Sequence, residues 1–274
     1  MYRFLLTPRW LGILAVTLAA AAGMVLLGNW QLHRYQERAA TNDRIDATAR
    51  VAPVPVADVL AAPTGGAGST GPAPAPERAW TRTTATGRYD PANLILVRGR
   101  TVDSRVGFEV VVPLVLADGR AVLVDRGWVP PAPGGATARP QIPPTPTGEV
   151  TVVGRVHLSE SQSGTVSRQG ATVETRRIAV PRLAAELPYP VYGAYLLADQ
   201  ETPPAAPGFS AIPIRHENDW QNFGYVVQWW LFAAMALVGF GWLARREARG
   251  GGGAPAARQL RGTDRAVDTS APSA

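Results

Sequence analysis

The chain is 274 residues long, with 27 basic and 21 acidic side chains, 46% apolar residues, 28 glycines, 25 prolines and no cysteine. The missing cysteine excludes a disulfide framework, a thiol nucleophile, a thiolate zinc site and an iron–sulfur cluster, and Met1, Met24 and Met235 are too scattered for a thioether copper site. All the basic residues are arginine and the excess sits in the flanks: residues 1–9 carry +2 and residues 245–274 carry +3, leaving 19 arginines against 18 acids between them. So neutral a middle is not a nucleic-acid surface.

Residues 1–9 form a short basic flank, predicted to be cytoplasmic. From Trp10 to His33 no residue is charged, and Leu11–Leu27 is apolar apart from Thr17 and glycine. About 20 residues rising about 1.5 Å each cross a hydrocarbon core, so residues 10–32 are predicted to be a transmembrane helix. The alternative is a cleaved signal peptide, with Ala20-Ala21-Ala22 as the processing site. A signal core is about 7–15 apolar residues, and this run continues through Met24–Leu27, which favours an uncleaved helix. Its small residues Gly12, Ala19–Gly23 and Gly28 either let another helix approach closely or reflect ordinary membrane composition.

Residues 33–222 are predicted to form an extracytoplasmic β-rich domain. Residues 35–50 alternate arginine and acid and suit a helix leaving the first span. Residues 52–79 are mostly alanine, proline, glycine and small polar residues, a composition expected to stay disordered. Strands are expected at 81–89, at 93–97 after the turn signal Asp90-Pro91-Ala92, and at 108–116 and 121–129 around Asp118-Gly119, a strong hairpin signal. A proline- and glycine-rich loop follows at 130–148, then strands at 150–158 and 171–180 around a polar turn at 159–170. A short helix at 180–187 and a last strand at 191–198 complete about seven strands, which fit an antiparallel sheet or small barrel.

Residues 223–244 form a second apolar run and a second predicted span. Trp10 and Trp242 mark one end of the two runs and Trp30, Trp220, Trp229 and Trp230 the other, where indole rings favour the headgroup region. Arg245, Arg246 and Arg249 follow the second span directly. A long intervening segment translocates largely regardless of charge, so both termini are expected in the cytoplasm of a cell-membrane protein. The tail after 245 reads as disordered.

Catalytic signatures are missing: Gly208-Phe209-Ser210-Ala211-Ile212 fails the nucleophile-elbow pattern at its last position, the glycine runs do not link strand to helix, and the acids show no pair at helical or strand spacing. The expectation is a protein that is not an enzyme. His33 and His216 flank the two spans on one side. Either histidine could ligate a haem iron, with Arg34 and Arg215 pairing the propionates, or both are interfacial polar residues. His157, at a strand end, is a weaker ligand candidate. Arg126 and Trp128 are either a packed strand terminus or a docking surface, since a Trp/Arg pair is the composition of interface hot spots. Asn218–Asn222 either cap the second helix or belong with Tyr225 and Trp229 to a partner contact.

Four of these segments, in this order, resemble the surfeit-locus family of cytochrome c oxidase assembly factors. Gly28-Asn29-Trp30-Gln31 followed by Arg34 is similar to the family's first-helix exit. Gly107-Phe108-Glu109 through Pro113-Leu114 and Val122–Pro130, with its Asp125-Arg126-Gly127-Trp128 core, are similar to its strand signatures. Gln221–Trp229 is similar to the segment opening its second helix. The resemblance covers residues 10–244 apart from 52–79. It implies help in maturing haem-a cytochrome c oxidase, at insertion of haem a into the catalytic subunit, or else a permanent accessory subunit of the oxidase or a respiratory supercomplex. It also implies the oxidase subunits and the lipid bilayer as partners, with Trp30, Gln31, Arg34, Arg126, Trp128, Asn222, Tyr225 and Trp229 as partner-contacting residues. Some members are thought to bind haem through a histidine in the second-helix segment, where this chain has Asn222.

Overall fold

The computed structural model describes residues 3–49, 51–161, 164–170, 172–214 and 216–250. Arg215, the first residue of the strand expected at 171–180, part of the 159–170 turn and the tail beyond 250 lie outside the described residues. The chain divides into two compact units, residues 1–37 with 218–274, and residues 38–217.

The first unit is a helix pair. Helix α1 runs Pro8–Ala49, so the arginine/acid segment extends the first apolar run without a break, and helix α4 runs Trp220–Gly250. Both are long and apolar enough to cross a membrane, and nearly all of the most apolar stretch of each is left uncovered by protein. Leu18, Leu26, Leu231 and Val238 are among the exposed side chains. A surface of this kind is stable against lipid and not against water. Ala21, Val226 and Ala233 are buried between the helices, as expected where small side chains let backbones approach.

The second unit carries nine strands among the described residues: β1 (Val54–Pro55), β2 (Arg82–Tyr89), β3 (Leu94–Val102), β4 (Arg105–Leu116), β5 (Ala121–Val129), β6 (Glu149–Leu158), β7 (Ser167–Gln169), β8 (Thr172–Thr175) and β9 (Val191–Thr202). Two short helices, α2 (Val56–Val59) and α3 (Val180–Ala184), complete it. The strand order is β1-β2-β6-β9-β5-β4-β3-β8-β7, and β2 also pairs with the far end of β4. That extra pairing closes β2, β6, β9, β5 and β4 into a five-stranded barrel, with β3, β8 and β7 extending from the remainder of the β4 edge that β2 uses. Pairing is antiparallel except at β1–β2, β3–β8 and β5–β9, so the sheet is mixed where an antiparallel one was expected.

Alternate residues fill the barrel. Ala85 and Tyr89 of β2, Val110, Val112 and Leu114 of β4, Val122 and Val124 of β5, Val150, Val152 and Val156 of β6, and Leu196 of β9 form one cluster. The opposite face of β4, β5 and β9 turns Val111, Leu123 and Tyr195 into a second cluster, with Ile95, Val97 and Val173 beneath α3. Strand β5 is therefore buried on both faces, and all nine of its residues are buried, whereas β6 is buried only on alternate residues. This is why Ala121–Val124 reads as a continuous apolar run and Glu149–Leu158 as an alternation.

The segment 52–79 is ordered, contrary to the expectation from its composition. Val56, Val59 and Leu60 insert into the barrel cluster. Further along, the Val191 amide donates to the Ser69 carbonyl at 2.9 Å and the Gly71 amide to the Val191 carbonyl at 2.8 Å. Average composition concealed three apolar side chains at i, i+3 and i+4, enough to anchor the stretch. The strand expected at 171–180 stops at Thr175, and its apolar end, Ile178 and Val180, belongs instead to the approach and first turn of α3.

Candidate functional site

Within the helix pair, α1 and α4 run antiparallel. At one end the rings of Trp10 and Phe240 meet edge to face, 5.9 Å between centroids. At the other end Tyr35 lies 5.5 Å from Phe223. Between these, Gly28 is buried, and a Cβ placed on it would sit 2.4 Å from the Trp230 indole nitrogen. Only glycine allows that approach. Three residues on, the Asn222 amide donates to Gln31 Oε1 at 2.7 Å. A side-chain amide pair at a membrane-helix contact contributes about 0.6–2 kcal/mol and fixes the rotation of each helix. The two helical segments singled out in the sequence thus meet each other.

In the barrel domain the segment Asp125-Arg126-Gly127-Trp128 straddles a bulge of β5 against β4, with Gly127 at φ +132°. Arg126 faces Glu201 of β9 and forks onto it, Nε and Nη2 each donating to a carboxylate oxygen at 2.8 Å. The two side chains are 0% and 3% exposed. The Tyr89 hydroxyl donates to the same carboxylate at 2.8 Å, and the guanidinium lies 4.9 Å from the Tyr89 ring centre and 5.0 Å from that of Phe209. Burial, with the Glu201 charge, holds the Tyr89 phenol far above its ordinary range. The Trp128 indole is buried and donates to the Arg100 carbonyl at 3.0 Å. Arg126 and Trp128 therefore form no exposed docking surface. Their partners lie inside the domain.

Asp125 faces the opposite way, toward the second cluster. Its carboxyl shares a hydrogen bond with Glu109 and accepts the Gly127 amide at 3.1 Å. Arg100 Nε lies 2.8 Å from Glu109 Oε2, too oblique for a hydrogen bond, and Arg100 Nη2 donates to Glu160 Oε1 at 2.6 Å. The other Glu160 oxygen accepts the Ile178 amide at the approach to α3, at 3.1 Å. Burial pushes the Glu109 carboxyl up to about 7 against the pull of Arg100, and burial with the Glu109 charge raises Asp125 well above its usual range. His157 is stacked on Tyr195 at 4.9 Å and meets Trp80 edge-on at 5.0 Å; burial lowers its pKa. That describes a packed histidine of the core.

The description "SURF1 family" is that of the family model matching residues 18–234, a range that includes 52–79. The chain belongs to the SURF1 family. It is similar to uncharacterized SURF1-like proteins of Mycobacterium bovis and of Mycobacterium tuberculosis, each 32% identical over 250 residues, covering 90% of this chain and 87% of theirs. The SURF1 family is linked in general to cytochrome oxidase assembly.

The site residues singled out in the sequence separate into the two units. In the helix pair, Gln31 and Asn222 bond each other, while Trp30 and Tyr225 are exposed and Trp229 is half-buried. Arg34 pairs with Glu37 at 2.9 Å, and His33 lies 3.3 Å from the same carboxylate, four residues on. In the domain unit, His216 sits 2.9 Å from Asp46. His33 and His216 are each exposed beside a carboxylate, and the Asn222 side-chain amide is committed to Gln31. Among the described residues no cluster of three or more metal-ligating side chains exists.

Sequence reasoning missed Asn42 and Glu217. The Asn42 amide donates to the Glu217 carbonyl at 3.0 Å and its oxygen accepts the Glu217 backbone amide at 2.8 Å, so α1 clamps the chain just before α4. The two positions are 175 residues apart, and nothing in a single sequence joins them.

Cysteines introduced by Gln31→Cys and Asn222→Cys are expected to cross-link readily in membranes, and adding Gly28→Leu to cut the yield severalfold by wedging the Trp230 indole away; quantitative gel analysis measures both. Arg126→Ala, which strands the buried Glu201 carboxylate, is expected to lower stability by about 3–5 kcal/mol in denaturant titration of the detergent-solubilised protein. Glu109 binds its proton more tightly folded (about 7) than unfolded (about 4.5), so stability is expected to fall as pH rises through that window and to level off above it. Glu109→Gln flattens this slope in melting curves recorded across the window.

Proposed function

We propose that this SURF1-family chain assists maturation of haem-a cytochrome c oxidase in the cell membrane without being an enzyme. The exposed apolar faces of α1 and α4 grip a membrane-embedded core subunit, while the barrel domain, on the extracytoplasmic side, contacts the exterior of the same complex. The observation that carries this reading is the helix pair itself. Gln31 and Asn222, from the two helical family segments, lock the pair in one rotation and leave its outer surface uncovered. Arg245, Arg246 and Arg249 at the end of α4 support cytoplasmic termini by the positive-inside rule.

His33 and His216 stay exposed, each beside a carboxylate, so this reading gives haem no ligand from this chain. That same observation favours a second reading, a permanent accessory subunit of the oxidase or of a respiratory supercomplex. Deletion of the gene is expected to lower the haem-a absorbance of membranes at least severalfold under the first reading, with recovery on re-expression of the wild-type chain and poor recovery with Gly28→Leu. Purification in mild detergent over a growth course separates the two. Transient, substoichiometric association marks an assembly factor, and stoichiometric presence in mature oxidase marks a subunit. Unchanged haem-a absorbance on deletion contradicts the assembly role.

A further inference from the structure

Among the described residues, three arginines at one end of the β3–β8 edge have no counter-charge, whereas the buried Arg126 has one. The β3–β4 pairing carries a bulge between Arg98 and Arg100, with Gly99 at φ +76°. It sets Arg98 opposite Phe108 and Arg100 opposite Gly107, so two side chains that would share a face on a regular strand turn to opposite faces. Arg100 turns to Glu109 and Glu160 and is neutralised. Arg98 turns to the other face, where its Nε is shut off from solvent with no hydrogen-bond partner.

The parallel pairing of β3 with β8 aligns Leu94–Val97 with Thr172–Thr175. Strand β8 ends at Thr175, and Arg176 and Arg177 follow it directly. Like charges on neighbouring strands repel, and a buried guanidinium donor without an acceptor is costly. Arg98, Arg100, Arg176 and Arg177 line a cleft of about 380 Å³ together with Thr137, and no acidic side chain lines it. Among the described residues, the Arg98, Arg176 and Arg177 side chains enter none of the ion pairs or hydrogen bonds, whereas the buried Arg126 has its carboxylate. Guanidinium forks match oxyanions. One fork saturates the two oxygens of a carboxylate; a tetrahedral phosphate group presents enough oxygens for three.

We propose that this cleft binds a phosphate-class oxyanion, free or as a phospholipid headgroup, through Arg98, Arg176 and Arg177. Calorimetric titration of the full-length protein in neutral detergent with inorganic phosphate and pyrophosphate, at matched ionic strength, tests it. Wild type is expected to bind, with affinity falling as salt rises. Arg98→Gln and the double variant Arg176→Gln/Arg177→Gln are expected to bind about tenfold more weakly or worse, and Arg88→Gln, at an exposed position elsewhere in the barrel, to bind as wild type. Arg176 and Arg177 are exposed, so the double variant reads the site even where Arg98→Gln impairs folding. Displacement of bound phosphate by short-chain phosphatidylglycerol, but not by short-chain phosphatidylcholine, assigns the anion to a lipid; failure of both assigns it to free phosphate. No binding by wild type at millimolar anion, or an equal loss in Arg88→Gln, overturns the proposal.

Discussion

Two helices with almost no protein covering their apolar faces govern how the rest of this molecule is understood. A water-soluble protein hides such surface, and here the helices bury a thin seam that includes Ala21, Gly28, Val226 and Ala233. With lipid tails as apolar as leucine, nothing hydrophobic drives the two together, so close packing and hydrogen bonding must. Gly28 supplies the first by admitting the Trp230 indole, and the Gln31–Asn222 amide pair supplies the second. Both devices lie in one half of the seam, and the outer surface stays available to lipid or to another membrane subunit.

The barrel domain solves a different problem. It is closed by a single short pairing between β2 and β4, and β5 runs through its middle with both faces buried. Strand alternation puts the neighbouring residues Asp125 and Arg126 on opposite faces. Arg126 ties β5 to Glu201 on β9 inside the barrel, while Asp125 joins Glu109 on the α3 side. A buried charge without its partner is strongly unfavourable, so these links favour one strand register over its neighbours. The segment Asp125-Arg126-Gly127-Trp128 is, in this chain, a device of internal architecture.

Local features were legible in the sequence. Charge-free runs of sufficient length marked the helices, and Asp118-Gly119 marked the β4–β5 turn, where Gly119 has φ +80° and the Asp118 carboxylate accepts the Arg120 amide at 3.0 Å. Contacts between distant positions were not. Arg126 and Glu201 are 75 residues apart, and Gln31 and Asn222 are 191 apart, so composition hinted at a Trp/Arg docking surface where the chain had built a core. In the stretch 52–79 the signal was present but diluted, since Val56, Val59 and Leu60 are few among many prolines and alanines. The bulge at Gly99 was also invisible, because a single extra residue in a strand has no compositional mark, yet it decides which arginine is neutralised.

The proposed topology, with α1 and α4 spanning the bilayer and residues 38–217 on the extracytoplasmic side, is open to a direct test. The chain has no cysteine, so single introduced thiols report without background. Arg88→Cys lies at an exposed barrel position and Arg249→Cys at the exposed end of α4. A membrane-impermeant maleimide is predicted to label the first in intact cells and the second only after permeabilisation. Labelling of Arg249→Cys in intact cells with Arg88→Cys protected would contradict the account.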